Sequence, residues 1–121
     1  MFRVLQSPSV LLRFEGAALL IGSVFMYIQL QASGWLFALL ILAPDLSMLG
    51  YLAGVKVGST TYNLIHLDLW PIALIVFGLA SANSAIIPIG LIWLAHISGD
   101  RLLGFGLKYP TEFKDTHLQR V

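Results

Sequence analysis

Four apolar runs, separated only by short polar breaks, leave this chain few folds to choose from. They cover roughly residues 11–30, 35–53, 60–79 and 85–103. A helix needs ~20 mostly apolar residues to cross the hydrocarbon core of a bilayer, and each run is of that order. With 58% hydrophobic and 11% charged residues, against ~25% charged in an ordinary soluble domain, the chain cannot coat its own surface with polar groups. It reads as an integral membrane protein.

The breaks at 31–34, 54–59 and 80–84 carry the Gly, Ser and Asn that stop and start helices. Short connections make successive helices antiparallel neighbours. The expected fold class is therefore all-α, a four-helix up-down bundle over residues 1–103 with a tail over 104–121. A chain of this length has no room for a second core. No internal repeat or low-complexity stretch interrupts the pattern, and no signal peptide is expected ahead of the first run.

An even number of spans puts the N-terminus, the second connection and the C-terminus on one side. Arg3, Arg13, Lys56, Arg101, Lys108, Lys114 and Arg120 all fall on or close to that side, and the other two connections hold no Lys or Arg. The positive-inside rule then predicts cytoplasmic termini, for a protein taken to sit in a bacterial plasma membrane. In the tail, Phe105, Tyr109, Phe113 and Leu118 alternate with Lys108, Glu112, Lys114, Asp115 and His117. An aromatic-basic segment of this kind is expected at the headgroup level; folding back as a lid is the sharper alternative. A net charge of +1 argues against nucleic-acid binding, and the absence of cysteine removes disulfides, thiolate nucleophiles and zinc-thiolate sites.

Ionisable groups within a span are costly, and each is a functional candidate. Here they are Glu15, Asp45, His66, Asp68, His96, Asp100 and Arg101. At a rise of ~1.5 Å per residue, Asp100 and Glu15 lie ~5–6 Å from the cytoplasmic ends, His66 and His96 ~10 Å, and Asp45 ~14 Å. His96 and Asp100 are four positions apart and share a helix face, as do Asn63 and His66, with Tyr62 alongside. Pro44 is expected to kink the second helix next to Asp45. Asp68 is turned ~200° from His66 and is left outside the group.

Two imidazoles and two carboxylates, from Asp45, His66, His96 and Asp100, form a plausible N2O2 set for zinc, iron or manganese. Asp45, His96 and Asp100 are also catalytic candidates, with Glu15 as general base or as partner to an imidazole. Tyr62, Asn63, Arg101 and Lys108 are candidates for binding a cofactor; Arg101 can equally be a topology anchor that snorkels to the interface. Two blander readings stand beside this one. The polar groups can be interhelical glue worth ~0.6 kcal/mol each, or the two histidines can be axial ligands of a haem. Trp35, Trp70 and Trp93 read as interface anchors or packing, the glycines as sites of close helix approach.

Several runs resemble a known family: Ala43-Pro44-Asp45-Leu46-Ser47-Met48-Leu49-Gly50-Tyr51, Tyr62-Asn63-Leu64-Ile65-His66, Trp93-Leu94-Ala95-His96-Ile97-Ser98-Gly99-Asp100-Arg101, and Gly106-Leu107-Lys108-Tyr109-Pro110-Thr111 with Phe113-Lys114-Asp115-Thr116-His117-Leu118. It is the bacterial domain-of-unknown-function family 4260 of small integral membrane proteins. That resemblance implies the four-helix fold and supplies no activity. A looser pattern, an acid after Pro, a later His and then HxxxD, is similar to membrane-bound metal-dependent hydrolases. The chain lacks the extra acidic and His residues such families cluster near the first Asp, so a two-metal site is not implied.

The expected function is a membrane-embedded enzyme with a cytoplasm-facing polar pocket, performing metal-dependent hydrolysis or transfer on a lipid-like substrate. The alternative is a non-enzymatic protein that binds a small molecule, a proton or haem, or an accessory subunit of a larger membrane complex. Expected partners are membrane lipids, a hydrophobic small molecule, and a second copy or a larger complex.

Overall fold

The computed structural model describes residues 5–109 and 116–120. Helix α1 spans Pro8–Gln29, α2 Gly34–Leu40, a 3-10 helix Ala43–Ala53, α3 Val55–Ile65 and α4 Leu69–Ala80; a 3-10 turn at Ser84–Ile86 leads into α5, Ile87–Leu103, and α6 covers His117–Arg120. Four stretches are long and apolar enough to cross a membrane: Pro8–Gln29, Gly34–Ala53, Val55–Ala80 and Ser84–Leu103. Among the described residues no strand forms beyond an isolated antiparallel bridge between Lys108 and Thr116.

The chain starts α1 where its chemistry allows. The Ser7 hydroxyl accepts from Val10 N and Pro8 occupies the first turn, where a missing N–H costs nothing. Helix α5 is the centre of the bundle, with Leu91, Ile92, Leu94, Ala95 and Ile97 buried. Against it lie α1, α4 and α2, while α3 packs on the 3-10 helix. The α1 pairing is antiparallel: Gly16 abuts Ser98 and Arg101, and Tyr27 clusters with Leu91 and Ile92. Outward faces are apolar, with Ile21, Trp35, Leu39, Leu52 and Leu79 all exposed. Water tolerates such a surface poorly; lipid tails are its natural solvent.

Two spans are broken, each at a proline. Pro44 has no N–H for the carbonyl of Leu40, and the chain tightens after it into 3-10 geometry, with Asp45 N donating to Leu42 O at 3.0 Å. The third span stops at His66 and resumes at Leu69. Pro71 accounts for that break, because its ring clashes with the carbonyl of Leu67 and offers it no donor. The expected connection at 54–59 is shorter than the sequence suggested. Helix α3 already begins at Val55, and the turn is made by Gly54 at φ 117°, a conformation that costs a side-chain-bearing residue dearly. The low apolarity of Lys56, Gly58 and Ser59 had concealed the first turn of a helix.

Beyond α5 the described part of the tail turns back on the bundle. Asn63 of α3 holds the backbone of Lys108 at both ends, Nδ2 donating to Lys108 O at 2.7 Å and Lys108 N donating to Oδ1 at 2.6 Å. His117 Nδ1 accepts from Leu107 N at 2.7 Å, Gln119 Nε2 donates to Gly104 O at 2.8 Å, and Leu118 is buried. Arg3, Glu112, Phe113, Lys114 and Asp115, invoked for topology or for the tail, lie outside the described residues.

Candidate metal centre

The breaks deliver the site. Asp45 sits in the first turn of the 3-10 helix, one residue after Pro44. His66 caps the end of α3, and His96 and Asp100 are one turn apart on α5. His66 is fully buried and His96 nearly so. The Nε2 atoms of the two histidines are 3.2 Å apart. Asp45 Oδ1 lies 3.3 Å from His66 Nε2 and 3.0 Å from His96 Nε2. Asp100 Oδ2 completes the group at 3.6 Å and 3.3 Å from the same two nitrogens.

Those separations have a chemical meaning. Tetrahedral ligands held ~2.0–2.1 Å from one ion stand ~3.3 Å from each other. The ring orientations are set from behind. His66 Nδ1 donates to Tyr62 O at 2.9 Å, and His96 Nδ1 donates to Ile41 O at 2.6 Å. A neutral imidazole that donates from Nδ1 keeps its Nε2 lone pair, so both lone pairs are aimed at one point. The Tyr62 ring stacks on that of His66, with centroids 3.7 Å apart and planes at 10°, and its hydroxyl donates to Asp100 Oδ2 at 3.4 Å. The tight trio is His66, His96 and Asp45; Asp100 stands a little farther out. Axial ligands of one haem iron, at ~2 Å on opposite sides, would be ~4 Å apart. With Nε2 atoms at 3.2 Å and Asp45 wedged against both, a porphyrin has no room between these rings.

The other sequence candidates are dispersed. Glu15 is exposed on α1: Gly16 faces α5, and the next residue back is turned ~100° away, so Glu15 does not reach the group. The first span contributes no ligand to it. Asn63 grips the tail. Arg101 donates to His66 O at 3.2 Å and to Phe105 O at 2.9 Å, joining the broken span to the tail. Asp68 begins α4 and stays outside the cluster. Lys108 is 5% exposed, with Nζ 4.6 Å above the Tyr62 ring. Burial pushes its ammonium below the usual lysine range, and Asp100 and Asp45 draw it back up.

Three residues around the cluster were not assigned to the site from the sequence. Trp93, read as an anchor or packing, donates Nε1 to Ile65 O at 2.8 Å, a carbonyl left open by the break. Phe105 and Met48 wall a cavity of about 160 Å³ shared with Asp45, Asp100, Tyr62 and Lys108. Pro71, five residues after His66, was the available signal for the break.

A family model described as a domain of unknown function (DUF4260) matches residues 9–121. No curated protein and no solved structure matches the chain.

Proposed function

The chain belongs to that family, the domain of unknown function DUF4260, and from the site it carries we propose a membrane-embedded, metal-dependent enzyme. One divalent ion of zinc, iron or manganese is held by His66, His96 and Asp45, and the reaction is hydrolysis or group transfer on a lipid-like substrate. The observation behind this reading is the pair of back-bonded imidazoles whose Nε2 atoms face each other at 3.2 Å. Two lone pairs and two carboxylate oxygens converging on one point repel unless a cation or a proton sits among them. A set of two imidazoles and one carboxylate leaves a coordination position for water or substrate, as catalytic sites require. Asp100, with its longer separations and its hydrogen bond from Tyr62, is placed to accept a proton from that water, the role first considered for Glu15.

An apolar groove of about 230 Å³ is lined in part by Pro44 and Ile65, the chain neighbours of Asp45 and His66, and by Ile92 and Trp93. It supports a substrate that arrives from the bilayer. The clustering of Arg13, Lys56, Arg101 and Lys108 toward one end supports a bacterial plasma-membrane protein with cytoplasmic termini.

A second reading has its own support. An imidazolium can donate its remaining Nε2–H to Asp45, so the same atoms can hold a proton in a non-enzymatic carrier or subunit. Elemental analysis and an absorption spectrum of the detergent-purified protein separate the two. Near-stoichiometric zinc, iron or manganese, lost in His96→Ala, is expected. Protein that stays metal-free after reconstitution defeats the enzyme, and full occupancy in His96→Ala defeats the ligand assignment.

A further inference from the structure

Tyr62 touches the candidate centre in three ways, and only one of them needs a tyrosine. From α3, four residues before His66, its carbonyl accepts from His66 Nδ1 at 2.9 Å, a bond that any residue there could make. Its ring lies flat on the His66 imidazole, with centroids 3.7 Å apart, a contact that phenylalanine would make as well. Its hydroxyl donates to Asp100 Oδ2 at 3.4 Å. That is the oxygen facing the histidines, 3.6 Å from His66 Nε2 and 3.3 Å from His96 Nε2. A phenol on a buried residue carries a desolvation cost that a phenyl ring avoids, so its presence here calls for a reason.

The two carboxylates stand differently to the histidines. Asp45 Oδ1 is 3.3 and 3.0 Å from the same two nitrogens, closer to each than Asp100 Oδ2 is. Asp100 lies in regular helix α5, one turn past His96. Its backbone is therefore fixed, and rotation of its side chain decides how near its oxygens come. Exposure divides the group in another way. The side chains of His66 and His96 are 0% and 4% exposed, those of Asp45 and Asp100 33% and 18%. Water thus meets the cluster along its carboxylate edge, where Asp45, Asp100 and Tyr62 share the cavity of about 160 Å³. A coordination position that Asp100 leaves free faces that cavity.

Resting on the metal reading above, we infer that Tyr62 is a positioning residue that acts through Asp100: its hydroxyl holds this carboxylate back from the ion, so that His66, His96 and Asp45 are the ligands and a fourth position stays open toward the cavity. Standing back costs Asp100 little, because a water in that position can donate to it, and the bond from Tyr62 to a charged acceptor adds to the preference. Deprived of the hydroxyl, Asp100 is free to rotate inward as a fourth ligand. Four protein ligands make a closed centre of the structural type, whereas three leave room for water or substrate. One phenolic oxygen then decides which kind of centre these four side chains form.

The test uses full-length protein in phosphatidylcholine nanodiscs, loaded with cobalt(II), whose visible absorption reports its coordination. Cobalt content is measured on every sample, and azide is titrated as a small anion that needs an open position. Wild type is expected to bind azide with a saturable change in the cobalt band. Tyr62→Phe should hold the same amount of cobalt but bind azide roughly tenfold or more weakly. Adding Asp100→Asn to Tyr62→Phe should restore azide binding, because an amide is a poor ligand, and Asp100→Asn alone should keep both cobalt and azide. Equal azide binding in wild type and Tyr62→Phe overturns the positioning role and leaves the metal centre standing. Azide binding that stays lost in the double variant overturns action through Asp100. Loss of cobalt from Asp100→Asn, or a cobalt-loaded wild type that ignores azide, overturns the open position. Absence of metal binding in every sample overturns both readings together.

Discussion

Replacing Asn63 by Leu should release the tail while leaving the bundle folded. The Asn63 amide makes two hydrogen bonds to the backbone of Lys108, at 2.7 and 2.6 Å. Each is worth ~1 kcal/mol net, and a buried backbone group left without a partner costs ~1–3 kcal/mol. Lys108 is only 5% exposed, so water cannot take over both roles without some opening. The docked tail should therefore lose ~2–4 kcal/mol relative to the open one. At ~1.4 kcal/mol per factor of ten, exchange of the Lys108 amide through local opening should accelerate ~30- to ~700-fold. Hydrogen–deuterium exchange on peptides covering 104–109 reads this directly, with peptides from α5 as the internal standard. Asn63→Asp is the informative companion: it keeps an acceptor for Lys108 N–H but turns a second acceptor toward Lys108 O, so an intermediate acceleration is expected. Unchanged exchange in both variants, with α5 still protected, would refute the clamp.

Neighbouring geometry sets two further expectations. Docking of the tail should weaken in acid, because burial first and Arg101 second push His117 below its usual value of 6.5, and protonation at Nδ1 would forfeit the bond accepted from Leu107 N. The folded state prefers the neutral ring, so its stabilisation is complete above pH 6.5 and fades as the pH falls through the lower folded value; proteolysis of the tail should show the step, and His117→Asn, which accepts the same bond without titrating, should abolish it. In Gly16→Ala the new methyl would meet Arg101 Cβ at 2.7 Å and the backbone atoms Leu102 N and Ser98 O at 2.9 Å, so α1 and α5 must separate. A loss of ~1–3 kcal/mol is expected, seen as a lower midpoint of thermal unfolding in detergent, and an unchanged midpoint would contradict the close packing.

Much of this was legible in the sequence, for identifiable reasons. Lipid permits so few backbone solutions that run length alone yields the four spans. Side-chain period on a helix pairs His96 with Asp100, and the cost of charge in a bilayer marks His66 and Asp45 as their companions. What escaped was geometry that depends on a break. Helical rotation presumes an unbroken helix, and the third span is interrupted beside His66, where Pro71 intervenes. Glu15 had the right depth, yet depth carries no azimuth, and the contact of Gly16 with α5 turns it outward. Asn63 shares a face with His66 by spacing, but its amide meets the tail, a segment whose path no periodicity predicts.

The same breaks explain why polar residues other than the ligands crowd this end of the bundle. A span interrupted in a bilayer exposes carbonyls that neither water nor lipid can satisfy, and each must find a donor within the protein. When Asp45 N turns to Leu42 O, the carbonyl of Ile41 is left over, and His96 Nδ1 takes it. When α3 stops, Ile65 O goes to Trp93 and His66 O to Arg101. Helix α5 thus supplies a donor to every one of these loose carbonyls from Trp93, His96 and Arg101. Backbone satisfaction alone, however, asks nothing of the opposite edge of His96, and a Trp or Gln could donate as well. That the residue back-bonded to Ile41 is a histidine, with its second nitrogen facing another histidine and two carboxylates, is the part that structural economy leaves unexplained and that the proposed cation would account for.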